Sequence, residues 1–139
     1  MKILGLDLGR NSLGISISDP FQLLARGLEN LRFEEDETYQ IAREKLRVLM
    51  QSEPIEKIVL GYPKNMDGSI GAQALESERF KELIEADFNI PVILWDERLT
   101  TKLAQNMMKD QKLTRKTRQK NVDKSSAIIL LQSYLDTKK

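Results

Sequence analysis

A chain of 139 residues with 40% hydrophobic content can form one domain with a real core and is too short for two, so residues 1–139 are read as a single domain. It has no cysteine and no histidine, which excludes disulfides, thiolate nucleophiles, the commonest general base and the commonest zinc ligand; any metal must be held by oxygen, which points to magnesium or manganese. The net charge of +1 selects no partner, and with no signal-like or membrane-length apolar stretch the chain reads as a soluble cytoplasmic protein with no membrane association.

The first elements form a β-hairpin over Ile3 to Asp19. Apolar residues run to Leu8 without helical period, Gly9 to Ser12 make a turn, and Leu13, Ile15 and Ile17 then alternate with Gly14, Ser16 and Ser18 as a half-buried strand does. Asp7 is the odd member, because an anion at the end of an apolar strand needs compensation, either from a cation or from the turn amides at Gly9 and Arg10. Leu23 to Phe33, with Leu24, Leu28 and Leu31, reads as a third antiparallel strand. The acidic run Glu34 to Glu37 precedes a helix from about Thr38 to Gln51, whose Tyr39, Ala42, Leu46 and Leu49 share one face. Ile58 to Leu60 fits a buried parallel strand ended by Gly61-Tyr-Pro. After a loop from Lys64 to Gly71, a helix from Ala72 to Ala86 turns Ala72, Leu75, Phe80, Leu83 and Ile84 inward. Val92 to Trp95 is a second buried strand, followed by a short helix with Leu103, Ala104, Met107 and Met108, a basic loop, and a last helix from about Asp123 to Leu135.

The order β-β-β-α-β-α-β-α-α implies an α/β fold: a mixed five-stranded sheet, made of a three-stranded antiparallel meander and two parallel strands, with helices on both faces in three layers. Ligands of such sheets sit beyond the carboxyl ends of strands. Asp7 ends the first strand, and Asp96 and Glu97 end the last. Asp123, Ala127, Leu130 or Leu131, and Tyr134 share the helix face that packs on the sheet, so Asp123 is a third inward carboxylate, unless it serves only as an N-cap. Such a cluster of acids would bind two metals that activate water and stabilise a leaving oxygen in phosphodiester hydrolysis.

Gly5-Leu-Asp-Leu-Gly, Ser18-Asp19, Gly61-Tyr-Pro-Lys-Asn-Met-Asp-Gly-Ser, Asp96-Glu-Arg-Leu-Thr-Thr and Val122-Asp123 through Ile129-Leu-Leu-Gln-Ser-Tyr-Leu together resemble the YqgF/RuvX family of Holliday-junction-resolvase-like nucleases of bacteria. The resemblance spans almost the whole chain. It implies an RNase H-like fold and a metal-dependent nuclease of small-subunit ribosomal RNA maturation, with structured RNA or the pre-ribosomal particle as partner and an older assignment to branched, four-way DNA. By position, Asp7, Glu97 and Asp123 match the family's acidic sites, with Asp96 adjacent. Ser12 departs from an arginine common in that turn, where Arg10 lies close by, and Ser125 and Ser126 replace small apolar residues.

Nucleic-acid contacts are expected from Arg10, from Lys64 and Asn65 in the glycine loop, from Arg98, whose other reading is to orient a carboxylate, and from the basic run at Lys109 to Lys124 that includes Lys112, Arg115, Lys116, Arg118 and Lys120. The plainer readings are a connecting loop and a solvated face. Trp95 is read as core, and Thr100 or Thr101 as a helix cap. A monomer or weak homodimer is expected. Two other functions remain in play at this point: a non-catalytic ribosome-assembly factor, and an ATP-binding domain of the actin, chaperone and sugar-kinase type, whose first phosphate loop Gly-Leu-Asp-Leu-Gly also resembles. That second class uses two such domains around its nucleotide, and 139 residues supply one.

Overall fold

The structure, a computed structural model, describes residues 1–98 and 115–137, and for 115–125 it describes the backbone only. The described elements are β1 (Lys2–Leu8), β2 (Ser12–Ser18), β3 (Ala25–Arg32), α1 (Gln40–Ser52), β4 (Ile55–Tyr62), α2 (Ala72–Phe88), β5 (Val92–Asp96) and α3 (Arg115–Asp136). They build one five-stranded sheet in the order β3-β2-β1-β4-β5. β1, β2 and β3 pair antiparallel, whereas β4 pairs parallel with both β1 and β5. The short helix expected around Leu103 to Met108 lies outside the described residues.

Strand alternation sorts the side chains into two layers. Leu4, Leu6 and Leu8 of β1, Leu13, Ile15 and Ile17 of β2, and Ile58 and Leu60 of β4 face one way and pack against Ala42 and Leu46 of α1 and Phe80 and Ile84 of α2. Ile3 and Val59 face the other way, beneath Leu130, Leu131, Tyr134 and Leu135 of α3, with Ile93 and Trp95 alongside. Trp95 stands edge-on to Tyr134 at 5.4 Å and donates to Ser133 Oγ at 3.2 Å, which makes it a packing residue, as expected. Each buried aliphatic side chain contributes about 1.5–3 kcal/mol, so the central strands dominate the stability of the sheet.

Three boundaries differ from the sequence reading. Gly61 and Tyr62 do not end β4; they stay paired with Trp95 and Asp96, and the strand stops where Pro63 offers no N–H. In α2, Ala72 is exposed and Leu75 is 58% exposed, while Ala74 and Ser77 are buried. The stripe is set by Phe80 and Ile84, and a residue five positions before Phe80 lies about 140° round the helix from it. α3 begins at Arg115, well before Asp123, so Arg115, Lys116, Arg118, Lys120 and Lys124 occupy helix positions and not a loop. Lys, Arg and Gln are good helix formers and no glycine or proline interrupts this segment, so helix forms there without apolar periodicity.

Candidate active site

β1 lies at the centre of the sheet, and its odd-numbered residues Ile3, Gly5 and Asp7 face α3. Asp7 is therefore the last residue of that face, at the carboxyl end of the most constrained strand. In β5 the same parity puts Ile93 and Trp95 on the α3 face and Leu94 on the other. Glu97 follows the strand, held by its own N–H donating to Tyr62 O at 3.2 Å, and belongs to the side of Asp7; Asp96 follows Leu94.

Asp7 and Glu97 are two strands apart, with β4 between them. Gly61 is the β4 residue that lies under the path from one to the other, and a Cβ added there would meet Glu97 Oε1 and stand 3.0 Å from its Cδ and 3.2 Å from its Cγ, so the glutamate would have to shift. With glycine there, the glutamate reaches across without displacement. The carboxyl of Glu97 then hydrogen-bonds to Asp7. Burial first, and next the bond to and negative charge of Asp7, push the Glu97 carboxyl up from 4.5 to about 8, with Asp96 adding a smaller repulsion. At neutral pH the pair holds a proton between its oxygens, the usual resolution when two carboxylates share one site.

Glycine also decides how closely α3 approaches. A Cβ on Gly5 would stand 2.7 Å from Leu131 Cβ and 3.2 Å from Ala127 O, so the helix backbone lies directly on β1. Ser16 Oγ donates to Ala127 O at 2.8 Å and pins the same turn. Ala127 in turn is 3.4 Å, and Asp7 Cβ 3.6 Å, from where a Cβ of Gly14 would be. Asp123 precedes Ala127 by one helical turn on α3, and its side chain lies outside the described residues.

The remaining expected residues divide. Asp96 is engaged elsewhere: Arg98 donates to it from Nε at 3.0 Å, from Nη2 at 2.7 Å and from its backbone N–H at 3.0 Å, which holds the Asp96 carboxyl below its ordinary range. Arg98 Nη1 also reaches Met66 O at 3.5 Å, tying the end of β5 to the glycine loop. In that loop Asn65 is spent on structure, its side-chain Nδ2 donating to Ser69 Oγ at 2.9 Å and its backbone carbonyl accepting from Gly68 N at 2.8 Å, while Gly68 takes a left-handed φ of 89°. Lys64 Nζ sits 5.6 Å over the Tyr62 ring. Arg10 is exposed and lines a cleft of about 510 Å³ with Tyr39, Glu76 and Arg79 near α2, apart from Asp7. Arg115, Lys116, Arg118 and Lys120 lie on α3 with side chains outside the described residues, and Lys112, Thr100 and Thr101 lie outside them altogether.

Sequence reasoning missed Gly61 and Gly14 as parts of the site. The available signal was glycine inside a strand, which marks a close approach. It also passed over Asn30 and Arg32 of β3, which line a small cavity beside Asp7.

Comparison with known proteins agrees with this architecture. The family described as "RuvX: Holliday junction resolvase" matches residues 1–137. Relatives named "Putative pre-16S rRNA nuclease" include one from Bacillus subtilis (strain 168), 44% identical over 138 residues and covering 99% of both chains, and one from Geobacillus sp. (strain WCH70), 43% identical over 138 residues with the same coverage. Among solved structures, Thermus thermophilus RuvC in complex with Holliday junction substrate superposes with a TM-score of 0.58 at 16% identity, covering 99% of this chain and 96% of that one. The fowlpox virus Holliday junction resolvase superposes with a TM-score of 0.52 at 14% identity, covering 100% of each. The structural likenesses establish the RNase H-like fold. The chain belongs to the RuvX family, which sets aside the sugar-kinase-type reading.

Proposed function

We propose that this RuvX-family chain is a cation-dependent cytoplasmic nuclease that cleaves phosphodiester bonds in structured RNA, with the 5′ end of pre-16S rRNA as substrate; branched DNA is the alternative substrate class. The observation that carries the reading is the hydrogen-bonded Asp7–Glu97 pair crossing Gly61 at the carboxyl ends of β1 and β5. The residues present fit a hard divalent cation: the donors are oxygen only, and burial, with the bond to and charge of Asp7, makes Glu97 keep a proton that a cation would replace. Asp7 and Glu97, with Asp123 one turn before Ala127 on α3, would hold magnesium or manganese. Such cations, when bound, activate water and stabilise the leaving oxygen of phosphodiester hydrolysis.

The chain's own residues supply the rest. Asp7, fixed on the central strand, sets the position of the site, because rigid elements hold reacting groups most precisely. Glu97 releases its shared proton when the site fills, so cation affinity rises with pH. Lys64 beside the loop and the basic residues opening α3 bind phosphates on either side of the cut. The test is incubation of wild type and Asp7→Asn with a precursor 16S rRNA fragment and with a synthetic four-way junction, in magnesium, manganese or chelator. Cleavage is expected only with a cation, and Asp7→Asn is expected to lose it by orders of magnitude while still binding. Binding without cleavage in every cation would instead make the chain a non-catalytic assembly factor, and equal rates in the two proteins would reduce Asp7 to a turn residue.

A further inference from the structure

We infer that Arg32, Asn30 and Ser12 form a phosphate subsite on the side of Asp7 away from Glu97, which takes a non-scissile phosphate of the strand being cut. The inference rests on the nuclease reading and assigns residues that reading does not use.

The register brings these groups to the site. Asp7 pairs with Gly14, Gly14 with Asn30, and Ser12 with Arg32. Gly14 has no side chain, so a trough runs from Asp7 to β3, roofed by Ala127 and Ser126 of α3 and enclosing about 150 Å³. At about 30 Å³ per water, that volume holds a phosphate group with some of its hydration. Asp7 to Asn30 spans two strand spacings, about 10 Å, within the reach of a neighbouring phosphate on a strand whose scissile phosphate lies at the acid pair.

A β-bulge decides which side chains line the trough. Ser16 pairs with Gly27 but Ile15 with Glu29, so Leu28 is the extra residue and every β3 position beyond it changes face. In an unbroken ladder Glu29 would stand opposite Gly14 and Leu31 opposite Ser12, putting a carboxylate and a leucine beside Asp7. With the bulge, Leu31 packs in the core beneath α1 and α2, Glu29 pairs with Lys45 of α1 at 3.2 Å, and Asn30 and Arg32 take the Asp7 side. The Asp7 side thereby exchanges an acid for an arginine.

The backbone of Arg32 is fixed at that place, with its side chain exposed. Its backbone is paired to Ser12, Ser12 O accepts from Gly9 N at 2.8 Å, and the next residue, Phe33, donates to Asn11 O at 3.0 Å, so strand and turn are locked together. The side chains of Arg43, Arg79 and Arg98 are each bound to a carboxylate, whereas that of Arg32, like those of Arg10 and Arg26, makes no hydrogen bond or ion pair among the described residues, and of these three only Arg32 lines the trough. A planar guanidinium flanked by a hydroxyl and a carboxamide is a donor set for a phosphate oxygen pair. It is also a poor neighbour for a divalent cation, which this arrangement leaves to the Glu97 side of Asp7.

The experiment measures affinity for a precursor 16S rRNA fragment against salt in chelator, where no cleavage intervenes, for wild type, Arg32→Gln and Arg32→Lys. Arg32→Gln is expected to bind about tenfold more weakly, as loss of a charge-assisted bond implies, and to flatten the log–log salt slope by about 0.7–0.9; Arg32→Lys should restore the slope but only part of the affinity. In magnesium, KM should rise more than kcat falls. Single methylphosphonate substitutions along the fragment should weaken wild type at one uncut position to which Arg32→Gln is indifferent. An unchanged slope and affinity in Arg32→Gln, with wild type cleaving normally, overturns the subsite and leaves the nuclease reading intact, as does sensitivity confined to the scissile phosphate. Slope loss in Arg32→Gln together with no cleavage by wild type in any cation supports the subsite and removes the nuclease reading.

Discussion

The Asp7–Glu97 pair makes the cation-free protein less stable as pH rises, and the size of the effect follows from the Glu97 carboxyl standing at about 8 against 4.5 for the ordinary group. Between those values the folded chain binds a proton that the unfolded chain has released, so stability falls with pH, at a limiting slope of about 1.4 kcal/mol per unit. Over the full window the loss is at most about 5 kcal/mol, and solvent at the mouth of the site trims it to a few. The window is unusually clean: with no histidine and no cysteine, no other side chain ordinarily titrates there. Asp36, Asp87 and Asp96 are all held below 3.8 by hydrogen bonds, so their stabilisation is lost only as pH falls beneath that value. Urea unfolding in chelator from pH 5 to 9 should show wild type losing a few kcal/mol, Glu97→Gln staying level, and Asp7→Asn losing less than wild type because its amide carries no charge. Magnesium at a hundred times its dissociation constant should return about 2.7 kcal/mol at pH 8. A wild-type profile as flat as that of Glu97→Gln would refute the shared proton and with it the argument that the site is shaped for a cation.

Gly61→Ala is expected to push Glu97 off its path and cut cleavage about a hundredfold with nucleic-acid affinity retained, which parallel cleavage and binding assays would show. Gly5→Ala places a methyl 2.7 Å from Leu131 Cβ; urea unfolding should register a loss of about 1–3 kcal/mol as α3 is lifted from β1. Neutralising Lys116 and Arg118 together should lower the salt slope of nucleic-acid binding by about one unit per lost phosphate contact, and an unchanged slope would leave the start of α3 a solvated helix.

Much of the fold is legible in the chain because its rules there are local. The alternation of Leu13, Ile15 and Ile17 with Gly14, Ser16 and Ser18 names the apolar face of β2, but the strand is not half-buried as that pattern suggests, because Ser16 and Ser18 are buried too and Ser16 bonds α3; Tyr39, Ala42 and Leu46 name the buried face of α1. The errors come where tertiary packing overrides a local pattern. Leu75 belongs to an apolar helix, yet the stripe fixed by Phe80 and Ile84 leaves it outside. A different error concerns the early turns of α3, which carry charge without apolar period, so that the only local signal for helix there is the propensity of Lys, Arg and Gln.

The site is legible only in part, for a related reason. Asp7 and Glu97 can be found because both stand at carboxyl ends of strands, a rule that needs no partner. Choosing Glu97 over Asp96 needs the parity of β5, which Ile93 and Trp95 reveal only once α3 is known to cover them. How Glu97 reaches Asp7 depends on Gly61, a residue on a third strand whose contribution is the absence of a side chain. The bulge at Leu28 is harder still: Gly27, a glycine inside the strand, is its one sequence signal and was passed over, yet a shift of one residue reverses which face every later side chain serves. Had the ladder run unbroken, Glu29 would have joined Asp7 and Glu97 and added a third carboxyl group to a pair that already retains a proton. The bulge therefore sets the charge balance of the site as firmly as the acidic residues themselves, and it does so through backbone pairing, which a linear reading of residue types does not register.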